Sequence, residues 1–129
     1  GTLNEKLNEP DQALQDFTRA IELDGANGST FNSRGLVLDQ LQRFEEAVAD
    51  FTQAIQLDGT NAVYFHNRGF SYRNLHRYNE AIADYTRAIE LNPDGAAAYN
   101  NRGFASRKLG LYLLAIQDYT RSLELNPSN

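Results

Sequence analysis

The chain has 129 residues, with 12 Lys and Arg against 17 Asp and Glu and a formal net charge of −5. That length suits one domain rather than two ordinary ones, and the acidic balance argues against nucleic-acid binding, which needs a basic surface to gather phosphates. The lack of Cys excludes disulfides, thiol catalysis and thiolate metal sites and leans towards an intracellular, cytoplasmic setting, while no apolar run approaches membrane-spanning length.

The sequence nearly repeats itself every 34 residues, so that Gly35, Gly69 and Gly103 fall at equal intervals inside a shared Arg-Gly dipeptide. Residues 62–95 and 96–129 share 18 identities, and residues 28–61 and 62–95 share 13. A period of this size marks an array of stacked supersecondary units. The expected organisation is a single array over 1–129: a partial first unit at 1–27, then units at 28–61, 62–95 and 96–129.

In chain order, a residual turn or two is expected at 1–7 and a helix at 10–23, with Ala13, Phe17 and Ala20 on one face. Pro10 is tolerable in the first turn of that helix, where the N–H has no role. Asn27-Gly28-Ser29 fits a glycosylation sequon but reads more simply as an inter-repeat turn. Helices then follow at 28–41 and 44–57, 62–75 and 78–91, and 96–109 and 112–125. Each first helix places an aromatic, Phe31, Phe65 or Tyr99, four residues before its Gly on the predicted core face. Each second helix repeats Ala47, Ala81 or Ala115, then Phe51, Tyr85 or Tyr119, then Ala54, Ala88 or Ser122, in steps of three and four that trace one helical face. Turn signals at Asp58-Gly59, Asn92-Pro93 and Asn126-Pro127 close the units.

These residues resemble the tetratricopeptide repeat, a helix-turn-helix unit with an aromatic, a Gly, an Ala, an aromatic, an Ala and a Pro at set offsets. The resemblance covers the whole chain and implies an all-α fold, an α-α superhelix or right-handed solenoid of helix-turn-helix repeats. Ala13, Phe17 and Ala20 fill the slots of an earlier unit and Gly1 its Gly slot. The chain is therefore expected to begin partway through a first helix, as a fragment of a longer protein. Gly25 and Gly59 stand where the family has its terminal Pro, and Pro10 takes an aromatic slot. Arg34, Arg68 and Arg102 stand where the family usually has Leu. A charge in so covered a slot needs a partner, and Asp16, Asp50, Asp84 and Asp118 recur before each second-helix aromatic. Arg–Asp pairs along the stack follow, either inside one hairpin or back to the preceding one.

No catalytic constellation is visible. His66 and His76 are ten residues apart, which is not the spacing of a helical metal site, and neither a nucleophile elbow nor a phosphate loop occurs. Glu45, Glu46, Glu80 and Glu90 read as solvated faces. The expectation is a protein-interaction scaffold with no catalytic residue, metal or cofactor, binding a protein or peptide partner along the concave wall. In the family that wall is built from first-helix positions, which here supply Ser29, Ser33, Leu36, Asp39, Gln40, Val63 and Ala97 beside the eleven residues expected to line the groove: Asn32, then His66, Asn67, Phe70, Arg73 and Asn74, then Asn100, Asn101, Phe104, Arg107 and Lys108. Asn67 and Asn101 offer donors and acceptors to an extended backbone, Phe70 and Phe104 an apolar footing, and Arg73, Arg107 and Lys108 a positive edge for an acidic or C-terminal carboxylate group.

Some family members hold acidic chaperone tails with a clamp of Lys and Asn in one unit, Asn in the next, and Lys and Arg in a third. Here those slots hold Asn32 and Leu36, Asn67, and Ala97 and Asn101, so only the middle Asn is present and that clamp is absent. In the last unit, Leu111, Leu113 and Leu114 replace Arg77, Asn79 and Glu80 of the preceding one. Apolar residues at polar slots suggest a covered surface. Further repeats are favoured as the cover, with a homodimer through this hairpin as the second choice. The alternatives to peptide binding are thus self-assembly through the last hairpin, or service as the non-catalytic arm of a larger enzyme.

Overall fold

The structure, a computed structural model, describes the backbone of residues 2–24 and 27–127 and the side chains of 9–23 and 27–127. Gly1 and Gly25, assigned above to a Gly slot and a terminal slot, lie outside the described residues. Among the described residues every regular element is a helix. It divides into two compact units, residues 1–59 and 60–129. The first contains α1 (Thr2–Asp24), α2 (Gly28–Gln40) and α3 (Phe44–Leu57); the second contains α4 (Ala62–Asn74), α5 (Tyr78–Leu91), α6 (Ala96–Lys108) and α7 (Tyr112–Leu125).

The helix-turn-helix pattern has a local cause. At the end of α2, α4 and α6 the chain turns through Gln42, His76 and Gly110, whose φ angles are 61°, 61° and 80°. The N–H groups of Arg43, Arg77 and Leu111 then return to the carbonyls of Leu38, Tyr72 and Ser106 at 2.8–2.9 Å, satisfying carbonyls that a helix end otherwise strands. The next helix starts directly afterwards. Between units the caps differ: Asn27 accepts from the Thr30 N–H and Asn61 from the Val63 N–H, both at 2.9 Å. The Asn27 amide of the sequon is thus engaged as the cap of α2.

One expectation fails at the start of the chain. In place of a short turn at 1–7 and a helix from 10, α1 runs unbroken from Thr2 with Pro10 inside it. An internal Pro removes one backbone bond and crowds the carbonyl four residues back. Residues 1–7, however, contain only Leu3 and Leu7 as sizeable apolar groups, too little to hold a folded-back arm, and helix propagation prevails. With no first helix over it, the Ala13, Phe17 and Ala20 face of α1 is only half-buried, whereas Ala47, Phe51 and Ala54 on α3 are fully enclosed.

Within each hairpin the core is built from the predicted second-helix face. Leu38, Ala47 and Phe51 form one cluster with Leu14 packed against it, and Ala81, Tyr85 and Ala88 are buried in the second unit. The first-helix face is offset there: Tyr64 and Ala98 are buried and the predicted Phe65 and Tyr99 are half-buried. Their rings are used differently, lying beneath Arg68 at 5.8 Å and Arg102 at 5.6 Å.

The Arg–Asp pairing resolves in favour of the same hairpin. Arg34 grips Asp50 through two bonds of 2.7 Å, and Arg68 and Arg102 grip Asp84 and Asp118 through two bonds of 2.8 Å each. A third guanidinium nitrogen reaches the preceding second helix, from Arg34 to the Thr18 hydroxyl at 3.3 Å and from Arg102 to the Thr86 hydroxyl at 3.2 Å. Each Arg therefore ties its own hairpin, and Arg34 and Arg102 also set the register of the helix before it. Two-pronged pairing with buried carboxylates is what such a charge requires, since a carboxylate left unpartnered there destabilises by about 3–5 kcal/mol. Among the described residues Asp16, exposed on α1, accepts from Gln12 at 3.5 Å.

Candidate functional site

Ten of the eleven residues expected to line the groove belong to α4 and α6 of the second unit; Asn32, half-buried, belongs to α2 of the first. The two helices lie side by side, and their wall residues meet at two places. Near the middle, the Asn101 amide nitrogen lies 3.3 Å from His66 Nε2, and the His66 ring meets the ring of Tyr85 edge-on at 5.5 Å. Burial holds the His66 pKa below its ordinary 6.5. A neutral ring can therefore accept from Asn101, whose carbonyl oxygen and second N–H are left to meet a ligand. Asn67 is half-buried on α4 and Asn100 exposed on α6.

Towards the C-terminal ends of the helices, Arg73 sits 3.8 Å above the centre of the Phe104 ring and 5.4 Å from that of Phe70. Arg107 approaches Phe104 at 5.3 Å and Lys108 at 5.4 Å. Three cations thus surround one aromatic ring, and no carboxylate pairs with any of them among the described residues. Six other cations have carboxylate partners: Arg34, Arg68 and Arg102 an Asp, and Arg43, Arg87 and Arg121 a Glu three residues on. Arg73, Asn74 and Lys108 also line a hollow with His76 and Tyr78. Stacking on an aromatic face holds a guanidinium in place while leaving its N–H fork available.

At the opposite end of the same two helices lies a pocket of about 240 Å³ bounded by Ala62, Val63, His66, Ala88, Asn92, Gly95, Ala97 and Ala98. The sequence reading placed Val63 and Ala97 on the wall without recognising the pocket, although the signal was present. The slots occupied by Val63 and Tyr64 on α4 hold Ala97 and Ala98 on α6, and that shortening leaves space. The register-setting Thr18 and Thr86 were also missed, though Thr52, Thr86 and Thr120 recur at the same interval.

Profiles of the tetratricopeptide repeat match residues 1–27, 29–61, 62–94 and 96–129. The chain belongs to the tetratricopeptide-repeat family. Among solved structures, the Arabidopsis OM64 tetratricopeptide domain is 30% identical, with a TM-score of 0.78 over 79% of this chain and 84% of that one. The first tetratricopeptide domain of Spaghetti (RPAP3), bound to the HSP90 peptide SRMEEVD, is also 30% identical, with a TM-score of 0.78 over 79% of this chain and 81% of that one. MamA from Desulfovibrio magneticus RS-1, at 18% identity, shares the fold with a TM-score of 0.87 over 97% of this chain and 71% of that one. No curated protein matches the chain. Tetratricopeptide domains are interaction modules, and the all-α helical-repeat architecture is that of the family. Among the described residues no group of His, Cys, Asp and Glu is arranged to hold a metal, and no helix is long and apolar enough to cross a membrane.

Proposed function

We propose that this tetratricopeptide array is a non-catalytic scaffold whose α4–α6 surface binds an extended acidic peptide of a partner protein. The observation that carries the reading is the cluster of Arg73, Arg107 and Lys108 around Phe104, without carboxylate partners among the described residues, in a protein of net charge −5. Such a cluster is costly to maintain beside its own repulsion and gains from an incoming carboxylate. Asn67 and Asn101 supply the side-chain amides for a peptide backbone one helical turn away, and Phe70 adds exposed apolar footing. A relative that holds the acidic peptide SRMEEVD supports the ligand class. The cations used here occupy other slots, because the family's clamp slots hold Asn32, Leu36, Ala97 and Asn101.

The test is fluorescence anisotropy with acidic and charge-neutral peptides of equal length, on the parent protein and an Arg107→Ala/Lys108→Ala variant. Both substituted residues are exposed, so the fold is kept, as circular dichroism will verify. The acidic peptide should bind in preference to the neutral one and lose about tenfold or more in the variant, with a shallower salt dependence. Equal affinity for both proteins overturns the assignment.

A second reading has its own observation. On α7 and the turn before it, Leu111, Tyr112, Leu113, Leu114, Ile116 and Leu123 are 43–77% exposed. Ile116 and Leu123 take the slots of Ile82 and Ile89, half-buried on α5, which packs beneath α6. A second copy of the chain docking on this face is the alternative. Sedimentation showing a dimer that Leu113→Asp abolishes supports it, and a monomer at all concentrations removes it.

A further inference from the structure

We propose that the α4–α6 surface reads two groups of its peptide at a set separation: an acidic group at the Arg73, Arg107 and Lys108 end, and one apolar side chain about four to five residues away in the Val63–Ala97 pocket. The inference rests on the peptide-binding reading above and adds the second determinant and the spacing.

The pocket has the chemistry and size of a side-chain receptor. Five of its eight lining residues are alanine or valine, Val63, Ala88, Ala97 and Ala98 among them, and His66 and Asn92 supply polar side chains. Val63 stands 56% exposed at its rim. The His66 ring contributes a neutral edge, since burial disfavours its protonated form. A cavity of about 150 Å³ holds a benzene ring, so about 240 Å³ accommodates a leucine, methionine or phenylalanine side chain. The lining carries no charged side chain to repay the burial of a charged group, and Asn92 supplies its one side-chain amide.

Helix geometry sets the spacing. The pocket is anchored at Val63 on α4 and Ala97 on α6, and the cation cluster at Arg73 and Arg107, ten residues further along each helix. Ten residues of α-helix rise about 15 Å. An extended peptide covers that distance in about four to five residues at roughly 3.3 Å each. Between the two ends the peptide passes Asn67 and the His66–Asn101 pair, which address its backbone regardless of sequence.

The test uses labelled glycine-serine host peptides carrying a Glu pair and one Leu, with the Leu adjacent to the acids, about four to five residues away, or about twice as far, in both chain directions, and a Glu-only peptide as reference. The intermediate spacing should bind about tenfold or more tighter than the Glu-only peptide, the expected yield of burying one leucine side chain. Adjacent and distant spacings should match the reference. Ala97→Phe, which fills the pocket from an exposed position, should erase the difference between the leucine and Glu-only peptides, and Val63→Ser should do the same without filling it. A leucine gain at every spacing, or none at any, overturns the inference while leaving peptide binding intact. Failure of every acidic peptide to bind overturns both.

Discussion

Tyr85 carries its hydroxyl into a fully enclosed position where it has no hydrogen-bond partner among the described residues. In the first unit the same slot is filled by Phe51, equally buried and without the polar atom. Burial pushes the Tyr85 hydroxyl well above the usual phenol range, with the positive charge of Arg73 pulling weakly the other way. A buried hydroxyl with no partner costs about 1–3 kcal/mol. Tyr85→Phe is therefore expected to raise the unfolding free energy by about 1 kcal/mol or more, read as a higher urea midpoint at unchanged slope. A lower midpoint would show that the hydroxyl makes a bond the packing conceals. His66, against the Tyr85 ring and the Asn101 amide, leads to a prediction of opposite pH sense from a salt-bridged lysine. Its folded pKa lies below 6.5, so the unfolded chain binds the extra proton first. The stabilising contribution of the neutral ring is complete above that value and is lost as pH falls through the folded pKa. His66→Asn places there the residue that Asn32 and Asn100 already provide in the other repeats. The melting temperature of the parent should fall more than that of His66→Asn between about pH 7 and about pH 5. Parallel curves would mean that His66 does not titrate differently in the two states.

The helical hairpin depends on an aromatic ring of the second helix lying against the glycine of the first. A Cβ added at Gly35 would stand 2.6 Å from Phe51 Cε1, one at Gly69 2.9 Å from Tyr85 Cε1, and one at Gly103 3.1 Å from Tyr119 Cδ1. Glycine costs a helix about 1 kcal/mol relative to alanine, and the closeness of the two helices offsets that loss. Gly69→Leu and Ala81→Leu are each expected to destabilise by about 1–3 kcal/mol through overpacking, measured by thermal melt; two unchanged melts would refute the packing. This contact was legible in the sequence because it depends on residue size at a repeated offset. The Arg–Asp pairs were legible as a need for a partner, but the choice between hairpins was not, since it depends on a guanidinium's reach in three dimensions. Each first helix ends one residue earlier than expected, because Leu41, Leu75 and Leu109 already belong to the turn whose backbone bonds close the helix. The unbroken α1 was hidden for a different reason. Periodicity reports which face is apolar and says nothing of whether a short arm has enough surface to fold back. At the candidate site the wall residues could be named from their slots, whereas the gathering of three cations on Phe104 and the alanine pocket depend on ring position and on missing volume.

At the scale of the whole chain, the division into residues 1–59 and 60–129 places every element of the proposed peptide surface in the second unit. In a repeat protein, stability is close to a sum of hairpins and their nearest-neighbour contacts, so the second unit carries much of what it needs internally. It has two complete hairpins, two bidentate Arg–Asp pairs, and the Arg102–Thr86 bond that sets one hairpin on the other. A fragment of residues 60–129 is nevertheless in the size range where a single core is marginal, and its melt should be well below that of the parent. Its folded form should still bind the acidic peptide with an affinity within about threefold of the full chain, since distant, independent sites contribute additively. The comparison is made at low temperature, with circular dichroism establishing the helical content of the fragment before its affinity is measured. A helical fragment that binds nothing would assign part of the ligand to residues 1–59. Asn32 would then be the first residue to substitute, because it occupies the same slot as His66 and Asn100 and was named from sequence as part of the same wall.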